Sequence, residues 1–257
     1  MNHMEKRVWL TRYLLDEGGY NNAIPGDEPG QKRLLRALLN VREPKPIGTD
    51  FLAVQDEYLR ECAAERGIAD AAALEPVEVR LCVWRGDITR LNADAIVNAA
   101  NSGMTGCYQP NHGCIDNAIH TYAGVQLRLK CAELMDAQGF PEPTGRAKVT
   151  PAYNLPSRFV IHTVGPICPG GEPSRQNIRE LESCYRACMA AADECGAKSI
   201  AFCCISTGVF GFPQKLGAQI AVKTVRDCLA HGAKVGKVIF NVFKPEDEEY
   251  YREELGK

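Results

Sequence analysis

A chain of 257 residues, 45% of them hydrophobic, has enough apolar material for one large domain and an appendage. A formal charge of −2 excludes a polycation that grips nucleic acid non-specifically, so no nucleic-acid partner is expected. No apolar run reaches the length of a membrane span, and the start around Glu5, Lys6 and Arg7 lacks a signal-peptide core, so the expected compartment is the cytoplasm.

Up to Pro76 the hydrophobic period is helical. Three helices are predicted: Glu5 to Glu17, Gln31 to Val41 with Leu34, Leu35, Leu38 and Leu39 on its apolar side, and Phe51 to Arg66 with Leu52, Tyr58, Leu59 and Cys62. Pro25-Gly26, Pro29-Gly30 and Pro44 to Gly48 punctuate them. Residues 1–76 therefore read as a helical extension packed on a main domain of residues 77–257. Beyond Pro76 strands and helices alternate, which makes the main unit α/β. Strands are predicted at Val77 to Trp84, Ala95 to Val97, Phe159 to Val164, Ser199 to Ile205 and Val238 to Val242. Long helices are predicted from Arg175 to Cys195, ending at Gly196, and after Pro213.

Between the second strand and a helix opening at Ile115 lies Cys107-Tyr108-Gln109-Pro110-Asn111-His112-Gly113-Cys114. Two thiols and an imidazole in eight residues form a Cys2His set that suits zinc, and three protein ligands leave a fourth tetrahedral position open. The spacing matches no standard zinc finger. With 12 cysteines in the chain, ordinary reduced thiols beside a histidine are the competing reading. Cys203 and Cys204 are adjacent, and Cys184, Cys188 and Cys195 share a helical face, a poor framework for disulfides.

In open α/β sheets ligands gather where strands end. Here those places are polar and small: Gly86-Asp87, Asn98 to Gly103, His162 to Pro166, and Ser206-Thr207-Gly208-Val209-Phe210-Gly211. The last is a loop whose backbone N–H groups can cradle a diphosphate. Neither the dinucleotide-binding nor the P-loop glycine signature is present.

Jointly, Gly86-Asp87-Ile88-Thr89, Ala95 to Ser102, Cys114-Ile115-Asp116, Ile161 to Pro166 and Ser206 to Gly211 resemble the macrodomain family, which binds ADP-ribose. The resemblance implies a three-layer α/β/α fold with a central mixed sheet, preceded here by the helical extension. Where ordinary hydrolytic macrodomains carry a run of glycines, this chain has Cys107, His112 and Cys114, which is similar to a zinc-containing microbial branch and implies Zn2+ as cofactor. It further implies that Asp87 accepts a hydrogen bond from the adenine amine, with Ile88 beside it. The lesser alternative for the Asp87 carboxylate is a cap of the turn after its strand. Backbone amides from Ser206 to Gly211 hold the diphosphate, Phe210 packs by the distal ribose, and Asn101 holds that sugar while Asn98 ties the loop. Asp116 lies near both metal and distal ribose, as the group that orients or deprotonates water.

The activity so implied is hydrolysis of mono-ADP-ribose from modified protein side chains, Asp or Glu above others, because a carboxylate leaves with little acid assistance. An ADP-ribosylated protein is the expected partner, with a lipoyl-carrier protein and a sirtuin-like ADP-ribosyltransferase implied by resemblance alone. A non-catalytic ADP-ribose reader and a hydrolase of a small derivative such as O-acetyl-ADP-ribose are the alternatives. A reader has no use for the triad or Asp116.

Overall fold

The computed structural model describes residues 1–256. The chain opens with three helices, α1 (His3–Gly18), α2 (Glu28–Val41) and α3 (Thr49–Arg66). Their starts are chemically specified. At α1 the Asn2 side chain accepts the Glu5 N–H at 2.9 Å while the Glu5 carboxylate accepts the Asn2 N–H at 2.8 Å, and at α2 Asp27 accepts the Gly30 N–H at 2.7 Å. Leu10, Leu14, Leu35, Leu38, Phe51 and Leu59 bury their side chains among these helices. Each is worth about 1.5–3 kcal/mol relative to exposure.

The rest of the chain begins with β1 (Ala69–Asp70), β2 (Leu81–Arg85), β3 (Leu91–Asn92) and β4 (Ala95–Ala100), followed by α4 (Ile115–Ala123) and α5 (Val125–Gln138). Next come β5 (Ala147–Pro151), β6 (Phe159–Val164), α6 (Arg175–Glu194), β7 (Ser199–Phe202), α7 (Gln214–Ala230), β8 (Lys237–Val242) and α8 (Pro245–Glu254). Six strands form one sheet in the order β2-β8-β7-β4-β6-β5. All neighbours in it are parallel except β5, which lies antiparallel on the β6 edge. The sheet is therefore mixed, with helices packed against it. Central strands carry near-continuous apolar runs, Ala95-Ile96-Val97 and Ile200-Ala201-Phe202 among them, because both faces are covered.

Two expected strands are shorter than their apolar patterns. The first begins at Leu81 rather than Val77, since Arg80 takes a φ of 69° and the Leu81 carbonyl accepts both the Val77 and Glu78 N–H groups in a tight reversal. The fourth ends its ladder at Phe202, and Cys203 to Ile205 run on into the following loop. α5, β5 and α8 escape the periodicity reading. β5 is a polar-edged strand with Lys148 and Thr150 in five residues, and α8 is mostly charged, with only Asp247 and Tyr251 buried.

The extension is fastened to the main unit by more than apolar contact. Val125 of α5 enters the extension's core. The buried Arg128 places Nη1 at 3.1, 2.8 and 2.5 Å from the carbonyls of Leu39, Asn40 and Arg42, capping the C-terminus of α2. Asp56 Oδ1 accepts from both Gln126 Nε2 and Asn154 Nδ2 at 2.7 Å.

Candidate active site

Strand ends converge on one cavity of about 750 Å³. Gly86 and Asp87 follow β2, Asn101 follows β4, Gly165 follows β6, Cys203, Cys204 and Ser206 to Phe210 follow β7, and Phe243 with Lys244 follows β8. The parallel sheet is what aims these loops the same way. α4 closes one side with Cys114, Asp116 and Tyr122, and Arg36 arrives from the extension.

Asp116 sits in the first turn of α4, where the helix N-terminus favours an anion. It is 4% exposed, yet both oxygens are met by amides: Asn98 Nδ2 donates to Oδ1 at 2.8 Å and Asn101 Nδ2 to Oδ2 at 3.4 Å. Burial pushes its pKa up to about 6, and the Asn98 bond works against that rise. At neutral pH it remains mostly a carboxylate, an acceptor held from two sides. His120, one helical turn on, brings Nε2 to 3.5 Å from Asp116 Oδ1. Gly106 makes room for that imidazole: its φ is 90°, and a Cβ there would lie 2.8 Å from His120 Cγ.

Asn98 and Asn101 divide the work otherwise than expected, because the loop is tied by Asn101 and not by Asn98. Asn98 is fully buried and bonds inward, to Asp116 and at 3.1 Å to His162 Nδ1. Asn101 lines the cavity, with Nδ2 also donating to the Gly106 carbonyl at 3.0 Å and Oδ1 accepting the Gly103 N–H at 2.9 Å. It thus ties its own loop while facing the space a ligand would fill.

The loop Cys107 to Cys114 brings Cys107 Sγ, a His112 ring nitrogen and Cys114 Sγ within 4.8 Å of one another at the cavity wall. The donor set fits a soft divalent cation. Without one, burial pushes the Cys114 thiol up to about 11, a protonated group; a bound cation inverts that preference. The Asn117 N–H already points at Cys114 Sγ at 3.4 Å, as a donor to a thiolate does.

Asp87 both caps its turn and lines the cavity. Oδ1 accepts the Thr89 N–H at 2.9 Å and the Thr89 hydroxyl at 2.6 Å, capping the short turn Ile88–Arg90, while Oδ2 accepts from Arg66 Nη1 at 3.1 Å. The carboxylate and Ile88 line the cavity, and Oδ2 keeps acceptor capacity for an amine.

In the loop after β7, two of the six amides are turned inward: Thr207 N–H bonds the Cys204 carbonyl and Gly211 N–H the Gly208 carbonyl. Those of Ser206, Gly208, Val209 and Phe210 have no partner among the described residues, which leaves them able to donate to an anion. Ser206, at φ 64°, has its hydroxyl buried without a partner. Gly165 permits that approach, since a Cβ there would meet Ser206 Oγ at 2.1 Å. Phe210 is half-buried and faces the cavity rather than the core.

The site also draws on residues that the motifs do not mark. Phe243, 78% exposed at the cavity mouth, and Lys244 stand at the end of β8; the strand-end rule that singles out Asp87 and Ser206 reaches them too. Arg36, Asn117 and Tyr122 carry no such signal.

A family model described as Macro domain matches residues 97–221. A relative from Treponema medium described as a protein-ADP-ribose hydrolase is 53% identical over 98% of both chains. One so described from Staphylococcus aureus strain MSSA476 is 48% identical over 86% of this chain and 83% of its own. Among solved structures, the Trypanosoma brucei macrodomain in complex with ADP-ribose superposes with a TM-score of 0.65 at 30% identity, covering 86% of this chain and 95% of that one. The chain belongs to the macrodomain family.

Proposed function

We propose that this protein hydrolyses the bond between ADP-ribose and a modified protein side chain, with zinc at Cys107, His112 and Cys114, and that the preferred linkage is to Asp or Glu. The observation that carries the reading is Asp116: a buried carboxylate, held from two sides by amides, on the wall of the same cavity as three soft ligands. A protein that only binds ADP-ribose needs neither. The hydrolase relatives, matched over most of their lengths, support the same reading.

The chain's own groups divide the reaction between them. Free amides of Ser206, Gly208, Val209 and Phe210 hold the diphosphate, Asp87 takes the adenine amine, and Asn101 faces the distal ribose. Water adds to the anomeric carbon as the bond to the side-chain oxygen breaks. Asp116 accepts the water's proton, and the departing carboxylate keeps the bonding electron pair and needs no proton from the enzyme. Cys107, His112 and Cys114 would hold the zinc, which would supply Lewis acidity. The two amides fix the direction of the Asp116 lone pairs before substrate arrives, which lowers the reorganisation the reaction needs. The modified partner is read as a lipoyl-carrier protein marked by a sirtuin-like ADP-ribosyltransferase, on the resemblance given above.

The test is incubation of the zinc-loaded protein with proteins carrying ADP-ribose on Asp or Glu, on Ser and on Arg, with released products weighed by mass spectrometry. Release of ADP-ribose from the Asp/Glu substrate is expected. Binding without release from any of the three would leave a reader of ADP-ribose.

A further inference from the structure

The Cys107 to Cys114 loop is held from outside the macrodomain. Arg36 of α2 donates Nη2 to the His112 carbonyl at 3.0 Å, and Nη2 and Nε to Asn117 Oδ1 at 2.8 and 3.2 Å. Asn117, fully buried, passes the contact on: its Nδ2 donates to the Gln109 carbonyl at 3.0 Å and the Cys107 carbonyl at 3.4 Å. One helical turn after Arg36, on the same face, Asn40 Oδ1 accepts the Asn111 N–H at 2.9 Å. Asn111 has a φ of 54°, an uncommon conformation that needs support, and it immediately precedes His112. Asn40 is itself anchored by its Nδ2 bond to Thr121 Oγ1 at 3.0 Å.

We propose that α2 of the helical extension is the positioning element of the metal loop, with Arg36 acting through the His112 carbonyl and Asn117, and Asn40 through the Asn111 N–H. The inference rests on the zinc reading above. A guanidinium suits this task, because Nη2 alone serves the main-chain carbonyl and the amide oxygen while Nε adds a second bond that fixes the amide. A loop preceded by Gly106 and carrying Gly113 between two of its ligands does not by itself keep three ligand atoms converged. The same extension braces the site again at Asp87: Arg66 donates to Asp87 Oδ2 and lies 3.6 Å above the Tyr122 ring centroid. Helices that carry no reactive group thereby set the geometry of those that do.

The experiment compares zinc-loaded full-length protein with Arg36→Met, Arg36→Lys and Asn40→Ala, using Arg33→Met on the exposed side of α2 as control. Two quantities are read: the rate of zinc transfer to a chromophoric chelator, and the visible spectrum of the cobalt(II)-substituted protein, which reports ligand geometry. Arg36→Met is expected to lose zinc about tenfold faster and to shift the cobalt bands, in the range typical of removing a group that orients metal ligands. Arg36→Lys should fall between it and the parent, since an ammonium can replace the two Nη2 bonds but not the Nε bond to Asn117. Arg33→Met should match the parent. Parental transfer rate and spectrum in Arg36→Met would overturn the proposal. Should Arg36→Met fail to fold, Asn40→Ala must lose zinc faster, and a parental rate there would overturn it equally. A parent protein that takes up no zinc would strike down the metal reading, and this inference with it.

Discussion

Two groups of cysteine and histidine stand near one another in this protein, and they differ in what they offer a cation. Cys107, His112 and Cys114 sit on a loop at the cavity wall, half-buried; His120, Cys131 and His162 come from α4, α5 and β6 and lie in the core. Each set brings its ligand atoms within 4.8 Å. Proton placement separates them. Asn98 Nδ2 donates to Asp116, an acceptor-only group when ionised, so the same amide nitrogen also donates to His162 Nδ1. The His162 proton therefore lies on Nε2, which donates to Thr150 Oγ1 at 3.0 Å and has no lone pair for a metal. Burial holds both core imidazoles neutral, pushing His162 down to about 3 and lowering His120 as well. Proximity alone makes neither group a metal site; access and tautomer decide.

The largest expected effect tests that distinction directly. Cys107→Ser with Cys114→Ser should reduce zinc from about one per chain to almost none and abolish hydrolysis, whereas Cys131→Ser should keep its zinc. Elemental analysis reads both. Full occupancy in the double variant would move the metal into the core group and reverse the comparison.

Next in size is the carboxylate between the two groups. Asp116→Ala should keep zinc and most of its ADP-ribose affinity while single-turnover release falls about 10²-fold or more. Equal losses in binding and turnover would make Asp116 a structural anchor.

The core group predicts a pH dependence of stability. In the unfolded chain a histidine binds a proton below about 6.5, while folded His162 stays neutral down to about 3, so the unfolded state holds more protons between these values. The stability contributed by the neutral core is intact above pH 6.5 and is lost as pH falls. From this residue the loss should be on the order of 2 kcal/mol by pH 5. Urea unfolding of the parent and His162→Gln at several pH values measures it. The same slope in both would remove His162 as its source.

The smallest effect lies with Asp87. Asp87→Ala should weaken ADP-ribose binding about tenfold, read by calorimetry, through loss of a charged acceptor for an amine. Unchanged affinity in a folded variant would leave Asp87 as the turn cap that its bonds to Thr89 already make it.

By itself the sequence determined the class of fold, the three leading helices and several of the strand ends that line the cavity. Those features are local. Leucine spacing marks α2, apolar runs mark buried strands, and Asp87, Asn101 and the Ser206 to Gly211 loop stand out because strand ends in such sheets carry small and polar residues. Local pattern also explains what went unseen: β5 and α8 carry too few buried residues to show a period. Only the tertiary structure decided which polar groups share a partner. It turned Asn98 inward to Asp116 and His162, spent the amides of Thr207 and Gly211 inside their loop, and brought Arg36 to a loop 76 residues further along the chain. Hydrogen bonds between distant segments leave no period and no spacing in the sequence, because their geometry exists only once the packed core has fixed the backbones that carry them.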